Sequence, residues 1–245
     1  MVTFHVPWHQ DERLTDESIP LPAGAVTVVP VLPAGTTWER LRALHDAVAE
    51  RVAHQITDGD VPTVVSGDCL VALGTLAGVQ RAGFDPGIVW FDAHGDVHTL
   101  DTTTSGYLGG LSLRLALGAH PDLAVNRPVD VDRALLVGAR DLDPAEITYL
   151  DGATAPATRT VEDLGTLPDG PLVLHVDLDV IDAGALPGLR FPAPGGPSAA
   201  AVRAAMDEVL RTGRVAAIDL ACPWHPAPSP QTQAERQDLL AHLTS

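Results

Sequence analysis

Trp90-Phe91-Asp92-Ala93-His94-Gly95-Asp96 closes an apolar run, Gly87 to Phe91, that reads as a buried strand. A second acidic stretch, His175-Val176-Asp177-Leu178-Asp179, closes an equally apolar run from Pro171 to Val176. Side chains of extended backbone alternate between faces. Asp92, His94 and Asp96 would therefore point to one side, and Asp177 and Asp179 likewise. Four carboxylates and an imidazole in one dry pocket repel one another unless a divalent cation, or two, neutralises them. Asp-rich strand ends also occur as helix caps and solvated turns. Two such clusters, each directly after a strongly apolar strand, favour a metal site.

The rest of the chain supplies the scaffold these strands need. Its 245 residues are 45% hydrophobic, ample for a core and suited to one large α/β domain or two small ones. The 15 basic side chains, all Arg, stand against 32 acidic ones, for a formal charge of −17. That balance argues against nucleic acid and anionic membrane as partners and admits a cationic small-molecule substrate. Residues 1–20 have neither a basic n-region nor an apolar h-region, so no signal peptide is read there. No window approaches the length of unbroken apolar sequence that spans a membrane. Two cysteines, Cys69 and Cys222, make no disulfide framework, and a reducing cytoplasm is the default location.

Strands are expected at Thr3–Val6, Val26–Val31, Val61–Val65, Gly87–Phe91, Ala134–Val137, Pro171–Val176 and Val215–Leu220. A helix opens at Thr36-Thr37-Trp38-Glu39 with a hydroxyl cap and an early acid, and ends at Asp58-Gly59. Further helices are expected from Cys69 through Arg81, over Leu111–Leu117, from Pro144 to Leu150, from Ser198 to Arg211, and over Gln231–Leu243. Pro7 to Glu12 reads as a polar loop, either solvated or lining a pocket mouth. The Gly/Pro-rich stretch 183–197 reads as a pocket wall. The expected fold class is α/β: a single-domain three-layer αβα sandwich over residues 1–245, its mostly parallel sheet covered on both faces. Ligands in such sheets bind beyond the carboxyl ends of the strands. Every polar cluster named above follows a strand, so all should share one rim.

These residues resemble the arginase/agmatinase (ureohydrolase) family over about residues 60 to 222. Asp92-Ala93-His94-Gly95-Asp96 matches its DAHxD motif, and Asp177 with Asp179 its second aspartate pair. The resemblance implies an arginase-like fold with two Mn²⁺ per chain and a metal-bridging hydroxide that attacks a guanidinium carbon. Asp92 and Asp177 would then bridge the metals, with Asp96 serving one and His94 and Asp179 the other. Thr102 to Gly106, including Ser105, resembles the segment that holds the amino-acid end of the substrate. Arg140-Asp141-Leu142-Asp143-Pro144 with Glu146 resembles an RDxDxxE stretch whose second Asp meets an α-amino group. Family members often form trimers or hexamers, so a homo-oligomer is compatible with the resemblance, although no stretch marks its interface.

Three departures stand beside these matches. Where the family carries a histidine ligand in GGDHS, this chain reads Ser66-Gly67-Asp68-Cys69. A thiolate at Cys69 admits Zn²⁺, Fe²⁺ or Co²⁺ beside Mn²⁺, while the hard carboxylates favour Mn²⁺; alternatively Cys69 is a small buried residue at a helix start. The proton-shuttle histidine of SGNxHG is replaced by Gly109 within Ser105-Gly106-Tyr107-Leu108-Gly109-Gly110. The late glutamate that grips the guanidinium is replaced by Cys222, leaving that residue as the substrate contact. The first two changes are similar to the Nω-hydroxy-L-arginine hydrolase branch, which keeps the late glutamate. The implied activity is C–N hydrolysis of a guanidino, N-hydroxyguanidino or formimino compound with an amino-acid end. Asp96 would move the nucleophile's proton, and His98, His175 or His225 would relay it, the first two sharing the parity of their metal clusters. A second-shell or merely buried role is the alternative for each histidine. The competing reading is a non-catalytic metal-binding member with a regulatory or sensing role. A bond between Cys69 and Cys222 would require Cα atoms within about 7 Å.

Overall fold

The computed structural model describes residues 2–244. Its frame is an eight-stranded sheet ordered β4-β1-β5-β10-β9-β6-β7-β8. The strands are β1 (Thr3–Val6), β4 (Val26–Thr27), β5 (Thr63–Ser66), β6 (Gly87–Phe91), β7 (Ala134–Val137), β8 (Ala157–Arg159), β9 (Leu172–Asp177) and β10 (Val215–Ala221). Every neighbouring pair in this sheet is parallel. Parallel strands need crossovers, and the helices that supply them cover both faces. On one face lie α1 (Thr37–Thr57), α2 (Ala72–Arg81) and α3 (Ser112–Ala116); on the other lie α5 (Ala199–Leu210) and α6 (Pro230–Thr244).

Each central strand feeds both cores in alternation. Trp90 of β6 belongs to the apolar cluster of Leu44, Val48 and Leu73 on the first face, while Val89 and Phe91 belong to that of Val202 and Met206 on the second. The last two strands in sequence order at the centre, β9 and β10, insert between β6 and β5. Four strand ends from distant parts of the chain therefore meet at mid-sheet, the place where an open α/β sheet holds its ligand. The sandwich and the parallel sheet agree with the sequence expectation.

Three expectations needed correction. The strand foreseen over Val26–Val31 is only Val26–Thr27, an edge element bracketed by Pro22 and Pro30, with Val31 98% exposed. Proline removes the amide donors a longer strand would need. Pro7–Glu12 is not a plain loop: β2 (Trp8–His9) and β3 (Glu12–Arg13) form an antiparallel hairpin with Trp8 and His9 buried. Strand β8 went unforeseen because Ala157-Thr158-Arg159 is exposed throughout and carries no apolar alternation. No described helix is long and apolar enough to cross a membrane.

Candidate metal centre

The acidic clusters converge, though not through extended backbone. Asp92 follows β6 and accepts the His94 amide at 2.7 Å. Asp177 ends β9 and accepts the Asp179 amide at 2.9 Å, closing the short 3₁₀ turn Leu178–Val180. Asp96 has φ of 52°, left-handed backbone. Asp92 and Asp177 thus each curl the chain by accepting an amide two residues on. The expected strand parity holds only to Asp92 and Asp177, and these turns deliver the remaining side chains. The Ala93 amide donates to Asp179 Oδ1 at 3.1 Å, which ties the two turns together.

His94 Nδ1 lies 3.0 Å from Asp179 Oδ2 and 3.4 Å from Asp92 Oδ1. From β5, Asp68 caps a 3₁₀ turn by accepting the Leu70 amide, and that turn aims Cys69 inward. The Cys69 thiol donates to Asp177 Oδ2 at 2.8 Å. Asp92 belongs to two trios whose donor atoms lie within 4.8 Å of one another, one with His94 and Asp179 and the other with Cys69 and His175. Asp96 is 6% exposed, and its Oδ2 has no hydrogen-bond partner among the described residues. Buried acceptors crowded together with one left unmatched form a donor set suited to divalent cations.

The electrostatics record the same crowding. Burial, then Asp92 and Asp177, push the Asp96 carboxyl well above the usual carboxylate range. Burial, then Asp179 and Asp92, do the same to Asp177. Burial and Asp92 raise Asp179 to about 6 against the pull of His94. Burial works to lower the His94 pKa, but its contacts with Asp179 and Asp92 outweigh it and raise the value to about 12. Burial and the surrounding aspartates raise the Cys69 thiol.

Above the cluster opens a cavity of about 260 Å³ lined by Cys69, His94, Asp177, His98, Asp143 and Glu146, with Tyr107 and Phe191 at its side. His98 Nε2 lies 2.8 Å from Asp143 Oδ2, and its Nδ1 3.1 Å from Thr102 Oγ1. Asp143 also caps α4 (Pro144–Leu150) in a reciprocal box with Glu146. Burial works to raise the Asp143 pKa, but the Glu146 and Ala145 amides and His98 outweigh it and lower it. Burial raises Glu146. Arg140 points away from the cavity, its guanidinium donating to the carbonyls of Asp179, Val180, Ala193 and Pro194 and clamping the Pro/Gly loop.

Other foreseen site residues lie elsewhere. Ser105 is exposed, accepts the Tyr107 amide and does not line the cavity. Cys222 is fully buried, with its sulfur toward the Leu220 carbonyl, and does not line it either. Both cysteines are free. His175 is buried beneath the cluster, and His225 is exposed. Sequence reasoning missed Asp68, although it precedes Cys69 directly after a strand. Asp68 is 1% exposed and accepts from the Tyr107 hydroxyl at 3.0 Å, with His9 Nδ1 at 3.1 Å. The His9 ring stacks on Tyr107 at 5.4 Å between centroids, so the β2–β3 hairpin backs the Tyr107 side of the cavity.

The Arginase family model matches residues 13–233. The chain belongs to the arginase family. Within the family it is 30% identical over 195 residues to an arginase of Bacillus subtilis, covering 71% of this chain and 65% of the relative. It is 32% identical over 180 residues to the N(omega)-hydroxy-L-arginine amidinohydrolase of Streptomyces lavendulae, again covering 71% and 65%. The matches therefore span a little under two thirds of these relatives' own length. The Bacillus caldovelox arginase structure superposes with a TM-score of 0.80 over 99% of this chain and 96% of that one, at 21% identity. This arginase-family fold is thus shared well beyond the range of clear sequence identity.

Proposed function

We propose that this arginase-family protein is a metal-dependent amidinohydrolase that cleaves a C–N bond of a linear guanidino, N-hydroxyguanidino or formimino compound with an amino-acid end. The observation that carries the reading is that Cys69, His94 and Asp177, from three strand ends, line one cavity, with Asp92 and Asp179 packed against them and Asp96 buried nearby. Two divalent cations held there, Mn²⁺ by the hard carboxylates, would supply Lewis-acid charge and bring the pKa of a water toward neutrality. Zn²⁺, Fe²⁺ or Co²⁺ fit the thiol of Cys69. A reducing cytoplasm keeps that thiol available.

The chain's own residues then hold the substrate and move protons. Asp96, buried with an unmatched Oδ2, accepts a proton from the attacking water and returns it to the leaving amine. His98, fixed between Asp143 and Thr102 on the cavity wall, exchanges protons with solvent. Asp143 and Glu146 hold the amino end of the substrate, and their carboxylates suit an ammonium group. The relatives named for arginine and hydroxyarginine chemistry support this substrate class.

The test is Mn²⁺-reconstituted protein offered arginine, Nω-hydroxyarginine, agmatine and formiminoglutamate, with urea, hydroxyurea and formamide assayed. One substrate should turn over, and Asp96→Asn should lower kcat by roughly a hundred- to ten-thousand-fold. Protein that binds two metal ions and hydrolyses none of these would instead support a metal-binding regulator or sensor, the reading favoured by Gly109 and Cys222.

A further inference from the structure

Beneath the aspartates, a polar row crosses three central strands. Trp90 of β6, His175 of β9 and Asp219 of β10 are register partners. His175 and Asp219 are both fully buried, as is Thr75 of α2, whose hydroxyl donates to Asp219 Oδ2. His175 Nδ1 meets Asp219 Oδ1 at 2.9 Å, and the His175 ring stacks on Trp90 at 3.7 Å between centroids. Asp219 as a carboxylate accepts, so Nδ1 carries the proton and Nε2 presents a lone pair. That Nε2 has no hydrogen-bond partner among the described residues.

The His175 ring stands next to the metal cluster, and with Nδ1 held by Asp219 its Nε2 is the nitrogen left to bind. The donor atoms of His175, Cys69 and Asp92 lie within 4.8 Å of one another. Trp90 Nε1 donates to Asp92 Oδ2 at 3.0 Å, so the residue that stacks on His175 also orients the carboxylate above it. With the Cys69 proton directed to Asp177 and Asp92 an acceptor, a cation held between these groups would satisfy the Nε2 lone pair. The ring does not line the cavity, which argues against proton exchange with solvent. A carboxylate behind a histidine that fixes its tautomer is the arrangement that makes imidazole a strong metal ligand.

The geometry points to His175 as a metal ligand: Nε2 joins Cys69 and Asp92 around one ion, with Asp219 and Thr75 as positioning residues. This rests on the metal centre proposed above and adds an imidazole that no motif match supplied. Co²⁺ titration of the full chain tests it, with metal stoichiometry, affinity by competition and the sulfur-to-cobalt charge-transfer band as readouts. Wild type should bind two ions and show the band. His175→Gln should weaken the ion beside Cys69 by about 100-fold or more and shift or abolish the band, and Asp219→Asn should weaken it by about 10-fold. His175→Gln that binds both ions with unchanged affinity and spectrum would overturn the role of His175 and leave the metal centre standing. Wild type that binds no Co²⁺, Mn²⁺ or Zn²⁺ would overturn the metal centre itself. Should His175→Gln fail to fold, proton NMR of Co²⁺-loaded wild type decides. A strongly shifted, slowly exchanging imidazole N–H, sealed against Asp219, is expected, and its absence would refute the ligand.

Discussion

Gly109 and Tyr107 show how a single position is read through its neighbour. A Cβ built at Gly109 would stand 2.3 Å from both Cζ and the hydroxyl oxygen of Tyr107, so the tyrosine ring fills the space a side chain would take. The ring cannot swing away freely, because its hydroxyl donates to Asp68 and its face packs on His9 and Phe191. Gly109→His, which restores the family residue, should therefore destabilise by about 1–3 kcal/mol through overpacking. Tyr107→Asn with Gly109→His, which restores SGNxHG at both positions, should recover most of that loss. A double-mutant cycle in urea checks it, and additive effects would refute the coupling. At this scale the clustering of Asp92, His94 and Asp179 was legible, because each follows an apolar strand that the sequence marks. A role was not legible where it comes from a partner distant in the chain. Asp68 gains importance from Tyr107 and His9, and His175 is defined by Asp219, a strand away. The helix start at Pro144 was visible in the sequence, whereas the capping box of Asp143 with Glu146 and its link to His98 required the fold.

Among the elements, the contact of α1 with α2 is set by two glycines one turn apart. A Cβ on Gly78 would meet Val52 Cβ at 2.6 Å and the Ala49 carbonyl at 2.9 Å, while one on Gly74 would meet the His45 carbonyl at 2.8 Å. Alanine gains roughly 1 kcal/mol of helix propensity over glycine. Here the obstacles include backbone and a β-branched side chain, which yield only if α1 moves. Overpacking at roughly 1–3 kcal/mol outweighs the propensity. Gly78→Ala should lose up to about 2 kcal/mol net, seen as a lower urea midpoint with unchanged slope, and a gain in stability would show the helices to be less closely packed. The central strands and long helices were legible because β-branched runs and 3.6-residue periodicity belong to the elements themselves. The edges were not. Strand β8 exists because β7 offers it partners, and β4 stops where Pro30 denies them. The turns after β6 and β9 follow from Asp side chains binding amides, which strand alternation does not describe.

The whole molecule brings four strand ends to one rim and carries a formal charge of −17, so proton uptake bears directly on its stability. His45 offers a clean case outside the site. It sits on α1 against α2, is 1% exposed, and neither ring nitrogen has a hydrogen-bond partner among the described residues. Burial lowers its pKa from 6.5 to about 4, against the opposing pull of Asp68 and Asp46. Between those two values the unfolded chain binds a proton that the folded chain refuses. This contribution to stability is present above pH 6.5 and is lost as pH falls toward 4. Burial lowers His5 in the same direction, whereas Asp68 raises His9 despite burial, and that works the other way. A difference experiment therefore isolates His45. His45→Leu keeps the volume and removes both the titration and the two orphan nitrogens. Relative to pH 7.5, wild type should lose about 2 kcal/mol more than His45→Leu at pH 5.0. Parallel stability profiles for the two proteins would show that the His45 imidazole is reached by water or by a partner, and that the α1–α2 seam opens in solution.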